Sequence, residues 1–130
     1  MKELKLILLI EDEPDIQEIV KSALELVGGY DVIGAYNGSD GFALAKDKQP
    51  DLILLDMMMP GINGIETYNL LHNECKTTNI PVIFMTAKVQ QHEVESYIKL
   101  GSVALFPKPF DPMTISEQIG AIWSKLEQHG

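Results

Sequence analysis

Leu6-Ile7-Leu8-Leu9-Ile10-Glu11-Asp12-Glu13-Pro14 is the stretch that decides the fold. Five apolar residues run without interruption into three acids and a proline. A short unbroken apolar run reads as a strand covered on both faces, the mark of a parallel sheet. The same pattern recurs three times. Leu52 to Leu55 runs into Asp56, Val82 to Met85 into Thr86, and Val103 to Phe106 through Pro107 into Lys108-Pro109. Open parallel sheets bind ligands at the carboxyl ends of their strands. Three carboxylates, a hydroxyl and an amine are therefore expected to meet at one edge, an inventory suited to a divalent cation and a phosphoryl group.

Helical patterns separate these runs. Ile16, Ile19, Val20, Ala23, Leu24 and Val27 repeat at helical spacing, with Pro14 suited to the first turn and Gly28-Gly29 to the stop. Tyr30 to Tyr36 is a second strand candidate, and Asn37-Gly38-Ser39-Asp40 turns the chain into a short helix around Phe42 to Lys46. Met57 to Gly61 reads as a loop, followed by a helix over roughly Ile65 to Asn73. A further helix is expected from about Gln91 to Leu100, stopped by Gly101. Asp111-Pro112 should open a final helix carrying Ile115, Ile119, Ile122, Trp123 and Leu126 on one face. Five strands alternating with five helices, joined by right-handed crossovers, predict an α/β, flavodoxin-like, doubly wound (βα)5 domain. Its parallel sheet would have the order 2-1-3-4-5, with the switch point between the first and third strands.

The 130 residues are read as one domain, 1–130. The net charge of −9 and the absence of arginine disfavour a basic nucleic-acid-binding face. The apolar run near the start is too short for a signal peptide and ends in acids, and no stretch approaches the roughly 20 apolar residues of a membrane span. A cytoplasmic protein is expected. A single cysteine, Cys75, excludes an internal disulfide.

Glu11, Asp12 and Asp56 would crowd together at the switch point. Two like charges ~4 Å apart repel by about 4 kcal/mol at an effective dielectric near 20, so the cluster calls for a cation. Mg²⁺ suits hard oxygen ligands. Lys108 at a strand end could neutralise a carboxylate or contact a phosphoryl oxygen. The Thr86 hydroxyl could donate to such an oxygen, and the small Ala87 would leave room for it.

Glu11-Asp12-Glu13-Pro14, Asp56-Met57-Met58-Met59-Pro60-Gly61, Thr86-Ala87 and Lys108-Pro109-Phe110 together resemble the signature set of the response-regulator receiver domain of two-component systems. The resemblance holds in order and spacing along essentially the whole chain. It implies a phosphorylation-dependent signalling switch in which Asp56 takes a phosphoryl group from a histidine kinase or histidine phosphotransfer protein. Mg²⁺ (or Mn²⁺) would be bound by Asp12, Asp56 and the backbone carbonyl of Met58, with Glu11 acting mostly through metal-bound water. Lys108, Thr86 and Ala87 would surround the phosphoryl oxygens. Met58 and Lys88 occupy positions that modulate dephosphorylation in the family. Pro14, Ile16, Ile19, Pro109 and Phe110 lie where the family docks partners, although Ile16 and Ile19 also extend the core stripe. The implied downstream partner is a protein target or effector domain, and the implied assembly a monomer or phosphorylation-dependent dimer. The chain is expected to be a stand-alone receiver or part of a longer regulator, with no turnover of an external substrate.

One departure concerns the switch. The family commonly has Tyr or Phe three residues before the Lys, as partner to the Thr; here that position is Leu105, and the aromatic is Phe106. Adjacent strand residues face opposite sides, so Phe106 is not expected to substitute. Among alternatives, a phosphohydrolase of the haloacid dehalogenase type would want a second Asp two residues after the nucleophile, where this chain has Met58. A flavodoxin-like cofactor carrier would want a phosphate loop in place of Glu11-Asp12-Glu13-Pro14. His72, His92 and His129 lack ligand spacing and read as surface residues, Cys75 as a bystander and Trp123 as packing.

Overall fold

A computed structural model of the protein describes residues 3–57, 59, 61–86, 104–107 and 111–129, with 86, 104–107 and 127–129 described by their backbone. Four of its strands are β1 (Leu6–Ile10), β2 (Asp31–Ala35), β3 (Leu52–Asp56) and β4 (Val82–Thr86). They form a parallel sheet in the order β2-β1-β3-β4. The segment Ala104–Pro107 (β5) lies beside β4, with Ile83 opposite Ala104 and Thr86 opposite Pro107. The helices are α1 (Pro14–Leu26), α2 (Gly38–Lys48), α3 (Gly64–His72) and α4 (Ile115–His129). The helix expected at about Gln91 to Leu100, and Gly101 after it, lie outside the described residues.

The unbroken apolar runs are explained by a core on each side of the sheet. Ile7, Leu9, Leu52, Leu54, Ile83 and Met85 pack on one face, with Val20, Ala23 and Leu24 of α1 and Ile115 and Ile119 of α4. Leu8, Ile10, Ile53, Leu55, Val82 and Phe84 pack on the other, with Ala45 of α2 and Tyr68 and Leu71 of α3. Alternate residues of one strand thus serve opposite cores, as the period of two requires. Burying a Leu, Ile or Phe side chain is worth about 1.5–3 kcal/mol, so this sheet is the main source of stability.

Several boundaries differ from expectation for local reasons. Tyr30 and Tyr36 fall just outside β2, and Tyr36 is exposed. α2 is longer than predicted, beginning at Gly38, because the Asn37 side chain accepts from the Asp40 amide at 2.8 Å and caps the helix early. Regular α4 starts at Ile115, after a turn in which Asp111 Oδ1 accepts from the Met113 amide at 2.9 Å. The end of α1 follows prediction: Gly29 takes φ of 73° and its amide donates to the Glu25 carbonyl. Ile19 departs from the predicted core stripe; it is 52% exposed, and Val27 equally so. The buried face of α1 is instead Gln17, Val20, Ala23 and Leu24, a polar residue taking the place that an apolar one was expected to hold.

Candidate acidic phosphoacceptor site

Asp56 is the last residue of β3, and its side chain is 1% exposed. β1 and β3 run side by side with Ile10 opposite Leu55, so the next step along each strand brings Glu11 and Asp56 together. Glu11 is fully buried and Asp12 half-buried. One carboxylate oxygen from each of Glu11, Asp12 and Asp56 lies within 4.8 Å of the others. At that separation a pair of charges repels by about 3.5 kcal/mol at an effective dielectric near 20, less where Asp12 faces water. A donor set made wholly of hard oxygens fits Mg²⁺ or Mn²⁺ and suits softer metals poorly.

Backbone and side-chain bonds hold these acids in place. The Glu11 amide donates to the Ala35 carbonyl at 3.0 Å, carrying the β1–β2 ladder one residue past the strand. Glu11 Oε2 accepts from the Glu13 amide at 3.2 Å. The Met57 amide donates to the Met85 carbonyl at 3.0 Å, and the Gly64 amide to the Met57 carbonyl at 3.2 Å. The loop after Asp56 is thereby tied to β4 and to the start of α3. Met57 and Met59 are buried in the core beneath it, so these two methionines serve as packing. Asn63 and Glu66 close a reciprocal capping box at the start of α3.

Thr86 ends β4 at the same sheet edge as Asp56, opposite Pro107. Leu105 stands opposite Phe84 and Phe106 opposite Met85. Met58, Pro60, Ala87, Lys88, Lys108, Pro109 and Phe110 lie outside the described residues. Pro14 is exposed and Ile16 half-buried against the core. His72 is exposed and stacks on Tyr68, Cys75 is exposed, and Trp123 is half-buried on α4.

Sequence reading missed Gln17. It is buried, and its Nε2 donates to the Glu11 carbonyl at 3.1 Å and the Ala35 carbonyl at 2.9 Å. Two signals were available. Gln17 shares helical spacing with Val20 and Leu24, and Gly34 sits inside a strand, where glycine often marks a close approach. The approaching atom is Gln17 Oε1, which occupies the space a Cβ on Gly34 would need.

Comparison with solved structures bears on the fold. The chain is similar to the chemotaxis protein CheY4 of Vibrio cholerae, with a TM-score of 0.84 over 92% of this chain and 99% of that one. At 22% identity that likeness shows the fold. A response regulator from Desulfuromonas acetoxidans also superposes with a TM-score of 0.84, at 25% identity over 94% of this chain and 98% of the other.

The family model described as the response regulator receiver domain matches residues 7–120. The chain therefore belongs to the response regulator receiver domains, phosphorylation-dependent signalling switches of two-component systems that bind Mg²⁺ through an acidic pocket. Such domains are not turnover enzymes, and the haloacid-dehalogenase alternative finds no support. The phosphate regulon transcriptional regulatory protein PhoB of Pseudomonas aeruginosa is 36% identical over 118 residues, covering 91% of this chain and 51% of PhoB. Protein PilH of the same organism is 35% identical over 116 residues, covering 89% of this chain and 95% of PilH. The chain thus spans about half the length of PhoB and nearly all of PilH. Among the described residues no helix is long and apolar enough to cross a membrane.

Proposed function

We propose that Asp56 is the phosphoacceptor. The observation that carries this reading is the meeting of Asp56 with Glu11 and Asp12 at the carboxyl edge of the sheet. An oxygen of the Asp56 carboxylate attacks the phosphorus of a phosphohistidine on a kinase or phosphotransfer protein. The O–P bond forms as the N–P bond breaks, and the electron pair of that bond returns to the imidazole. The product is an acyl phosphate. Phosphoryl transfer asks mainly for in-line positioning and neutralisation of the oxygens. Glu11, Asp12, Asp56 and the Met58 carbonyl would hold Mg²⁺, which when bound offsets negative charge on the acids and the transferring group. Thr86 and Lys108 would engage the phosphoryl oxygens beside Ala87, the Lys as a point charge and the Thr as a donor.

Ala104–Pro107, registered beside β4, supports completion of the (βα)5 fold in the order 2-1-3-4-5. Such a sheet would bring Thr86 and Lys108 to the edge that carries Asp56. The added charge and acceptor oxygens of the phosphorylated state would then bias the surrounding loops toward a second arrangement. Slow dephosphorylation by water resets the switch.

The partner-docking face includes Pro14, Ile16, Ile19, Pro109 and Phe110. An open groove of about 700 Å³ between Ile19 and Leu26 of α1, Val27 just after it, and Met113, rimmed by Asp15 and Glu18, supports this placement. The domain signals by protein contact, as a monomer or a phosphorylation-dependent dimer. Its charge of −9 and lack of arginine argue against direct contact with nucleic acid. Incubation with Mg²⁺ and a small phosphodonor, followed by intact mass, tests the central role. A gain of one phosphoryl group that Asp56→Ala abolishes is expected; a gain that survives the substitution moves the acceptor elsewhere.

A further inference from the structure

We propose that Gln17 is a positioning residue that holds the Glu11–Asp12 turn in the arrangement that receives Mg²⁺. The inference rests on the metal-binding reading of the acidic site. Gln17 is buried on α1, and its Nε2 donates to the main-chain carbonyl of Glu11 at 3.1 Å and of Ala35 at 2.9 Å. An amide nitrogen has two hydrogens, and these two carbonyls use both. The Gln17 main-chain amide donates to the Glu13 carbonyl at 2.9 Å. One residue therefore grips the acidic turn at Glu11 with its side chain and at Glu13 with its backbone. Asp12 lies between the two grips. The side chain reaches this position because Gly34 has no Cβ to obstruct it.

Satisfying two carbonyls at the ends of β1 and β2 is a structural need in itself. What makes the contact functional is the load on the turn. Glu11 is buried beside Asp56, and their mutual repulsion together with Asp12 favours any movement that carries Asp12, the half-buried member, outward to water. Gln17 opposes that movement without touching a carboxylate. Residues that orient metal ligands from behind typically change metal affinity 10–100-fold when removed.

Gln17→Met keeps the shape and removes both donors. Mg²⁺ affinity is read from shifts of the Glu11 and Asp12 amide resonances, independently of any phosphodonor. The variant is expected to bind Mg²⁺ about tenfold more weakly. In phosphorylation assays its half-saturating Mg²⁺ concentration rises by the same factor while the plateau recovers. A folded Gln17→Met protein with wild-type Mg²⁺ affinity overturns the inference and leaves the site reading standing. Wild-type protein that takes no Mg²⁺ overturns the site reading, and this inference with it. Should the variant not fold, the Gln17 side-chain amide of the wild-type protein gives the answer. Its resonances should move during Mg²⁺ titration with the same midpoint as Glu11 and Asp12, and resonances indifferent to Mg²⁺ overturn the proposal.

Discussion

Gly64 stands directly against the Asp56 backbone. A Cβ on Gly64 would lie 2.6 Å from the Asp56 carbonyl oxygen and 2.7 Å from Met57 Cα, both parts of the main chain that cannot swing aside. The first residue of α3 must therefore lack a side chain for the helix to start this close to Asp56. Alanine normally favours a helix over glycine by up to about 1 kcal/mol. Here Gly64→Ala should instead destabilise by about 1–3 kcal/mol through overpacking. Denaturant unfolding measures this, and a variant as stable as the parent would show that the contact is not tight.

A metal site at the crowded carboxylates, as proposed, should make stability depend on the cation. Saturating Mg²⁺ at 100 times its dissociation constant should raise the unfolding free energy by about 2.7 kcal/mol. Asp12→Asn removes one charge from the cluster, so the Mg²⁺-free protein should become more stable while the Mg²⁺ increment shrinks. Thermal or urea unfolding of both proteins, with and without Mg²⁺, separates the two effects. An undiminished Mg²⁺ increment in Asp12→Asn would remove this residue from the metal site.

The capping box of α3 fastens the far end of the loop that follows Asp56. Asn63 Oδ1 accepts from the Glu66 amide at 2.9 Å, and Glu66 Oε1 accepts from the Asn63 amide at 3.0 Å. Asn63→Ala should cost about 1 kcal/mol, and Asn63→Gly only a few tenths. Equal losses for the two would point to the loop's backbone rather than to the cap.

Burial pushes the Tyr68 phenol above its ordinary value, where it packs edge-on to Phe84 at 5.5 Å, and does the same to Tyr30. Between the unfolded and folded values the native state retains protons that the unfolded chain has released. This contribution to stability is complete below about pH 10 and is lost as pH rises through the folded values. On the alkaline side the unfolding free energy should decline as phenolate absorbance rises. Phenols titrating at their ordinary value in the native protein would contradict this.

Phe106 follows Leu105 in β5, and the two stand opposite Met85 and Phe84 respectively, residues of opposite sheet faces. Activation should therefore proceed without an aromatic partner for Thr86. Structures with and without beryllofluoride test this, since a Phe106 ring turned in beside Thr86 on activation would refute it. Leu105→Tyr should introduce a ring that changes orientation between the two states.

Much of the architecture is legible in the chain because its signals are local. Apolar runs of four or five residues, too short for a helix, read as strands covered on both faces, and Pro14, Asn37 and Gly29 mark helix ends through backbone chemistry that needs no distant partner. The acids at the ends of β1 and β3 were visible for the same reason, since a parallel sheet sends the ends of its strands to one edge. Tertiary structure decided what depends on separate segments meeting. It turned Ile19 outward and Gln17 inward on α1, because two carbonyls at the ends of β1 and β2 offered a buried amide both its partners. It also set Gly34 and Gly64 where another segment presses on the main chain. Periodicity reports which face of a helix is apolar on average, whereas the placement of a single polar side chain follows from hydrogen-bond partners that only folding brings within reach.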